Sequence, residues 1–317
     1  MVPALLGLIG AFIFGSADFL GGLASKRISA MLATAVAALS GLVALLVVLP
    51  FFGGTWSAGA VFWGALSGVS GAAAISLLYA CLAIGPMSIL SPLTAVVSAV
   101  VPMTVGLVGG DRFAPVGYWA LGLALVAVVL VGFVPEKGAV RPSTRGIVMA
   151  IGSGAAIGAF MIMINLTPED SGLVPLVMNR AVNGAIMFTL LGVLALLAGR
   201  KAAARGGRVG VSTTGSVATT PGTVMTNAAP APTQATRLSV RAGILLALAC
   251  GVVDVVANTM LLIGIRLGDL SVMSVLTAMY PAGTILLAAL VLKERIAPVQ
   301  WAGLALAVAA AGMLAIA

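Results

Sequence analysis

The chain has 317 residues, of which 61% are hydrophobic and only 8% charged. A soluble domain carries about a quarter of its residues as Asp, Glu, Lys and Arg, so this composition excludes a water-soluble fold and makes lipid the solvent. The net charge of +8 sits in connections between apolar runs, with no aromatic-basic groove, which argues for membrane orientation and against nucleic acid.

Crossing the hydrocarbon takes roughly 20 apolar residues at about 1.5 Å each. Runs that meet this requirement lie at 4–24, 30–52, 60–84, 86–109, 114–134, 145–166, 172–198, 242–266, 269–292 and 297–317. None alternates as a barrel strand would, so the expectation is an all-α integral membrane protein with ten transmembrane helices. The first run, "MVPALLGLIGAFIFGSADFL", has no basic leader or cleavage pattern and reads as a span and not a removable signal. Cys81 and Cys250 fall inside apolar runs, where packing is expected and a disulfide is not. Residues 199–241, rich in Thr, Gly, Ala and Pro, read as a disordered loop. In "GALSGVSG", Gly64, Gly68 and Gly71 are spaced for close helix packing.

One feature organises the whole chain. "DRFAPV" at 111–116 returns as "ERIAPV" at 294–299, and the constant offset of 183 extends without a gap over 85–126 and 268–309. Gly85 meets Gly268, Ser88 meets Ser271, Ser91 meets Ser274, Thr94 meets Thr277 and Pro115 meets Pro298. Polar and turn positions align along with apolar ones, which chance similarity of apolar runs does not produce. The repeated unit holds five spans, an odd number, so the second copy is expected upside down relative to the first. Residues 1–135 and 145–317 are the two five-helix repeats, the second interrupted by the 199–241 loop. Of the sixteen basic residues, all but Arg112, Arg180 and Arg266 fall in connections on one face. The positive-inside rule puts that face and the 199–241 loop in the cytoplasm of a cell membrane, a bacterial-type inner membrane, with both termini outside.

"GDRFAPV", "KERIAPVQWAGLALAVAAAGM" and "FGSADFLGGLASKR" resemble signatures of EamA-type domains. The chain is similar to ten-helix members of the drug/metabolite transporter superfamily over its whole length except the 199–241 loop. The resemblance implies a ten-helix basket, a central cavity lined by spans 1, 3, 4, 6, 8 and 9, alternating access, and export or exchange of small metabolites, amino acids or drugs. It also implies cytoplasmic termini, against the charge distribution.

An ionisable group in mid-span costs about 2.5–3.5 kcal/mol on insertion scales and so faces a cavity or a partner. Asp18, Arg180 and Asp254 are such groups. Asn258 stands four residues from Asp254 on one helical face, and Asn179 and Asn183 flank Arg180. From the helical rise, Asp18 and Asp254 lie roughly 21 and 18 Å from the face holding the N-terminus, and Arg180 and Asn258 roughly 12 Å. The expectation is a polar centre in which a carboxylate takes a proton or a cationic substrate group beside the Arg180 counter-charge, with Asn183, Tyr79 and Tyr280 as further candidates. The bland alternative is a set of structural ion pairs, with Asp18 leaning towards Lys26. Pro92, Pro102 and Pro281 break helical hydrogen bonding; with Ser91, Thr94, Ser274 and Thr277 they are expected to line the cavity or bear hinges. Asp111–Arg112 and Glu294–Arg295 are expected to cap helices and form interfacial salt bridges.

These residues favour a secondary carrier of small organic solutes, exporter or exchanger, with the bilayer as its surroundings. A flippase for a lipid-linked carrier, or a channel or cation transporter, is the alternative. No enzyme is expected: the chain has no histidine, no metal-ligand spacing, no nucleotide-binding loop and no cofactor motif. Monomer and homodimer both stay open.

Overall fold

The computed structural model describes residues 2–84, 87–132, 143–206, 234–293 and 295–316. The helices are α1 (Val2–Ser25), α2 (Ala30–Phe52), α3 (Ala58–Ile84), α4 (Met87–Gly109), α5 (Pro115–Gly132), α6 (Thr144–Asn165), α7 (Val174–Gly206), α8 (Gln234–Leu267), α9 (Leu270–Thr277), α10 (Tyr280–Val291) and α11 (Pro298–Ile316). They supply ten segments long and apolar enough to cross a membrane, α9 and α10 together making one.

Local chemistry sets the helix ends. Ser29 and Ser143 are N-caps whose hydroxyls accept from the Leu32 and Gly146 N–H groups at 3.3 and 3.1 Å, which satisfies donors that would otherwise end in apolar surroundings. Pro115 and Pro298 open α5 and α11, where a missing N–H costs nothing. The turns that precede them match in backbone as well as in sequence: Gly110 and its repeat mate Lys293 both have positive φ, 122° and 57°.

Two expectations need correction. Residues 199–206 and 234–241 are helical, as the ends of α7 and α8, and do not belong to a disordered loop. Their Ala, Arg, Lys and Leu content favours helix once the adjoining span has nucleated it; the remaining 207–233 lie outside the described residues. The ninth span is also not one helix. It stops at Thr277 and restarts at Tyr280, because Pro281 has no N–H to bond the Thr277 carbonyl. The Ala278 and Met279 amides turn back to the Ser274 and Leu276 carbonyls instead, both at 3.1 Å.

The turns gather on two faces. The α1–α2 connection carries Lys26 and Arg27, and α8 rises beside it, with Gly243 against Arg27 and Ile28; this is the basic face. On the opposite face Thr55 bonds Asp170, Oγ1 to Oδ2 at 2.6 Å. There too Arg266 donates to the Pro168 carbonyl at 3.3 Å and the Ser171 hydroxyl at 2.9 Å. Asp111 does cap a helix, but not one of its own hairpin. Its Oδ2 accepts from the Ser271 N–H at 3.0 Å and hydroxyl at 2.6 Å, at the start of α9. Burial, and then the nearby Asp111 charge, push the Asp269 carboxyl above its usual range, while the α9 N-terminus offsets some of that crowding of negative charge. Neither Arg112 nor Arg295 has a salt bridge among the described residues, and Glu294 lies outside them.

Inside, α1 packs on α8 and α10, α6 on α3 and α4, α2 on α7 and α8, α3 on α7, α4 on α9, and α5 on α11. Glycines bring these crossings close. Gly64 and Gly68 face the backbone of Pro175 and Asn179 on α7, and Gly15 and Gly283 face each other between α1 and α10. Between α2, α6, α7, α8 and α9, on the opposite-face side of the centre, Leu45, Met161, Ile164, Leu176, Leu262 and Met273 form a continuous buried apolar cluster.

Candidate functional site

A cavity of about 380 Å³ lies between α1, α2, α3, α7 and α8. Its walls follow helix stripes: Ala17, Asp18, Gly21, Gly22 and Ser25 on α1, and Ala30, Ala33, Thr34, Ala37 and Ala38 on α2. Ile75 and Leu78 on α3, Arg180 and Asn183 on α7, and Cys250 and Asp254 on α8 complete them. The stripes run from the α1–α2 turn on the basic face inward. The cavity therefore reaches from that face to the charged residues and stops at the apolar cluster beyond them.

Arg180 and Asp254 form an ion pair at this inner end. Asn258 donates to the same Asp254 Oδ2 at 3.1 Å and to the Asp254 carbonyl at 2.8 Å, so the carboxylate has two polar partners, as a buried charge requires. Arg180 passes α2 where Gly41 leaves room: a Cβ on Gly41 would lie 3.6 Å from Arg180 Cδ and 3.1 Å from Val255 on α8. Asn179 is tied back to α3, donating to the Ser67 hydroxyl at 2.9 Å. Asn183 is buried at the cavity wall with its Oδ1 unpartnered among the described residues.

Asp18 is different. It is exposed, lines the cavity, and has neither hydrogen bond nor ion pair among the described residues. It does not lean on Lys26. About ten ångströms of helix separate it from the basic end of α1, and its nearest charged company at the cavity is the Arg180–Asp254 pair. Tyr280 opens α10 with its carbonyl packed against Gly15 of α1 and is not part of the cavity wall.

The structure thus gathers Asp18, Arg180, Asn183 and Asp254 around one cavity, with Asn258 behind Asp254. It does not bring the expected proline and hydroxyl set there. Thr94 is fully buried and donates to the Leu90 and Ala150 carbonyls at 3.0 and 3.2 Å, joining α4 to α6. Ser274 donates to the Ser271 carbonyl at 2.9 Å. Pro92 packs at Gly132 and Pro102 at Gly158. Thr277 and Pro281 flank the break in the ninth span but are not part of the cavity wall. The side chains of Tyr79 and Ser91 lie outside the described residues. The reason is general: a lone hydroxyl on a span is satisfied by a carbonyl of its own or the next helix and needs no cavity. Spans 4, 6 and 9, expected as walls, give way to α2 and α7. The α2 wall is almost all alanine and gave no polar signal in the sequence; Cys250 and Thr34 were likewise missed.

Ten segments long and apolar enough to cross a membrane, five of them enclosing a polar-floored cavity, indicate a multi-pass membrane protein. Residues 206–316 match the model of the EamA-like transporter family, so this part of the chain is similar to an EamA-like transporter domain. A solved structure described only as "Crystal structure of protein" superposes with a TM-score of 0.66 at 15% identity, covering 99% of this chain and 96% of that one; at that identity the likeness concerns the fold alone. No curated protein matches the chain.

Proposed function

We propose that the protein is a secondary carrier for a small organic solute, working by alternating access as an exporter or exchanger, with the solute or a proton held at Asp18. One observation carries this reading. An unpaired carboxylate stands in a cavity reached from the basic face, while the apolar cluster around Leu262 and Met273 closes the other side. A pore would be continuous, and a structural acid would be paired. Taking the basic face as cytoplasmic, the conformation is inward-facing.

The inverted repeat supports the alternation. At the α1–α10 crossing Gly15 packs on the Tyr280 carbonyl; at the α6–α4 crossing Gly154 packs on Thr94 and Val97. Tyr280 and Val97 are 183 positions apart. Likewise Gly68 on α3 meets Asn179 and Val182 of α7, and Gly251, its repeat mate on α8, meets Ala37 and Ser40 of α2. Asn179 and Val182 have the same three-residue spacing as Ala37 and Ser40. Two halves that cross at equivalent residues can exchange conformations at little cost, which is what alternating access needs. The charged centre departs from this symmetry: the repeat mate of Asp254 is Gly71.

Proteoliposomes loaded with a total metabolite extract, followed by mass spectrometry of the efflux against protein-free liposomes, test the reading. Selective loss of one chemical class is expected. Indiscriminate loss of small solutes would replace the carrier with a channel, and no loss under a pH gradient of either sign would defeat it.

A further inference from the structure

Resting on that reading of the cavity, we infer that its substrate is a small organic ammonium ion with at least one N–H, bound by Asp18. The argument begins with charge. The cavity wall holds two carboxylates and one guanidinium. Arg180 is consumed by Asp254, whose Oδ2 also takes Asn258. What is left is one negative charge at Asp18, which has no hydrogen bond or ion pair among the described residues. A cationic substrate entering the cavity would meet that carboxylate as a counter-charge, and an anionic one would meet it as a like charge.

The rest of the wall selects the kind of cation. A bare metal ion needs six or so oxygen ligands, and no group of three metal-holding side chains exists among the described residues. The rest of the cavity wall is instead mainly apolar, Ala17, Ala33, Ala37, Ile75 and Leu78 among it. They suit a hydrocarbon body attached to the charge. A quaternary ammonium is recognised by aromatic faces, and the described wall has none. A carboxylate prefers a donor, because an N⁺–H···O⁻ bond is about twice as strong as a neutral one. Asn183 adds a second acceptor at the same wall, its buried oxygen having no partner among the described residues. At about 380 Å³, the cavity falls at the small end of ligand pockets, about 300–1,000 Å³.

The test is equilibrium binding to the purified full-length protein in detergent, by scintillation proximity, with tritiated alkyl- and phenylalkylammonium ions graded from butylammonium to phenethylammonium. Unlabelled phenethyl alcohol, 3-phenylpropionate and phenyltrimethylammonium serve as competitors. At least one ammonium ion should bind saturably, and the alcohol, carboxylate and quaternary ion should each compete at least about tenfold more weakly. Asp18→Asn should lose the binding and Asp18→Glu keep it, which separates loss of charge from loss of fold; Asp170→Asn on the opposite face should leave it unchanged. Competition by the carboxylate equal to that of the amine, undiminished binding in Asp18→Asn, or no binding by any member of the series would overturn the inference. Because the assay involves no transport, the two readings fail separately. Amine binding without amine movement in proteoliposomes removes the carrier and leaves the site. Selective movement of an anion or neutral solute removes the amine and leaves the carrier.

Discussion

Asp254 and Arg180 are each costly alone in a membrane, and their partnership decides what a substitution does. Asp254→Asn leaves a part-buried guanidinium without its counter-ion, a loss expected below the about 3–5 kcal/mol of breaking a fully buried pair from one side. A protein variant carrying both Arg180→Met and Asp254→Leu removes both charges and should recover most of that stability. Thermal unfolding of the two single variants and the double variant in detergent checks this. Additive losses would mean that the pair does not act as a unit. Asp254 is therefore first a partner of Arg180. The sequence makes part of this visible: Asp254 and Asn258 share a helical face by spacing alone, and mid-span charges announce themselves by their cost. It does not reveal the partner, since Arg180 meets Asp254 only across α2, through the gap at Gly41. Nor does it distinguish Asp18 from Asp254. Both are mid-span acids, and only packing shows that one is paired and the other open to the cavity.

At the scale of elements, close crossings are built from glycine, and a Cβ there meets backbone that cannot yield. Gly15 faces the Tyr280 carbonyl and lies with Gly283 Cα 2.7 Å from where its Cβ would be; Gly154 faces the Thr94 carbonyl at 2.6 Å. Gly15→Val and Gly154→Val should therefore each destabilise the fold by an overpacking penalty of about 1–3 kcal/mol or more. Gly192→Ala, where nothing lies within 4 Å, should be neutral or stabilising through helix propensity. Unfolding midpoints of the three variants decide it, and a tolerated Gly15→Val would dissociate the α1–α10 crossing from its supposed equivalent. Elements were the most legible scale. Ten runs, their turns and the 183-residue offset emerge from hydropathy and spacing, because lipid forces every backbone group into helix. The break at Ala278–Met279 was only half legible: Pro281 signals a lost hydrogen bond but not where the chain turns instead. The α2 wall was not legible at all, since alanine carries no chemistry and small residues serve packing and cavities alike.

For the whole molecule the question is what holds one face shut while the other is open. The opposite face is fastened by polar contacts between parts of the chain distant in sequence. Asp111 of the first half caps α9 of the second through Ser271, and Arg266 reaches Pro168 and Ser171. On the proposed alternating-access reading, such contacts break when the cavity turns over, and Cys250 reports on them. It is partly accessible and lines the cavity, whereas Cys81 is fully buried. A membrane-impermeant thiol reagent should modify Cys250 from the face on which an introduced Lys26→Cys is also modified, and spare it from the other. Replacing Asp111 and Ser271 together by Ala should raise labelling from the opposite face, by shifting the population towards a state in which that face is parted. Equal labelling from both faces in the unaltered protein would be the signature of a pore. Unchanged protection in the double variant would mean that the apolar cluster of Leu45, Ile164, Leu262 and Met273 alone keeps the face closed, and that Asp111 serves only to anchor the start of α9.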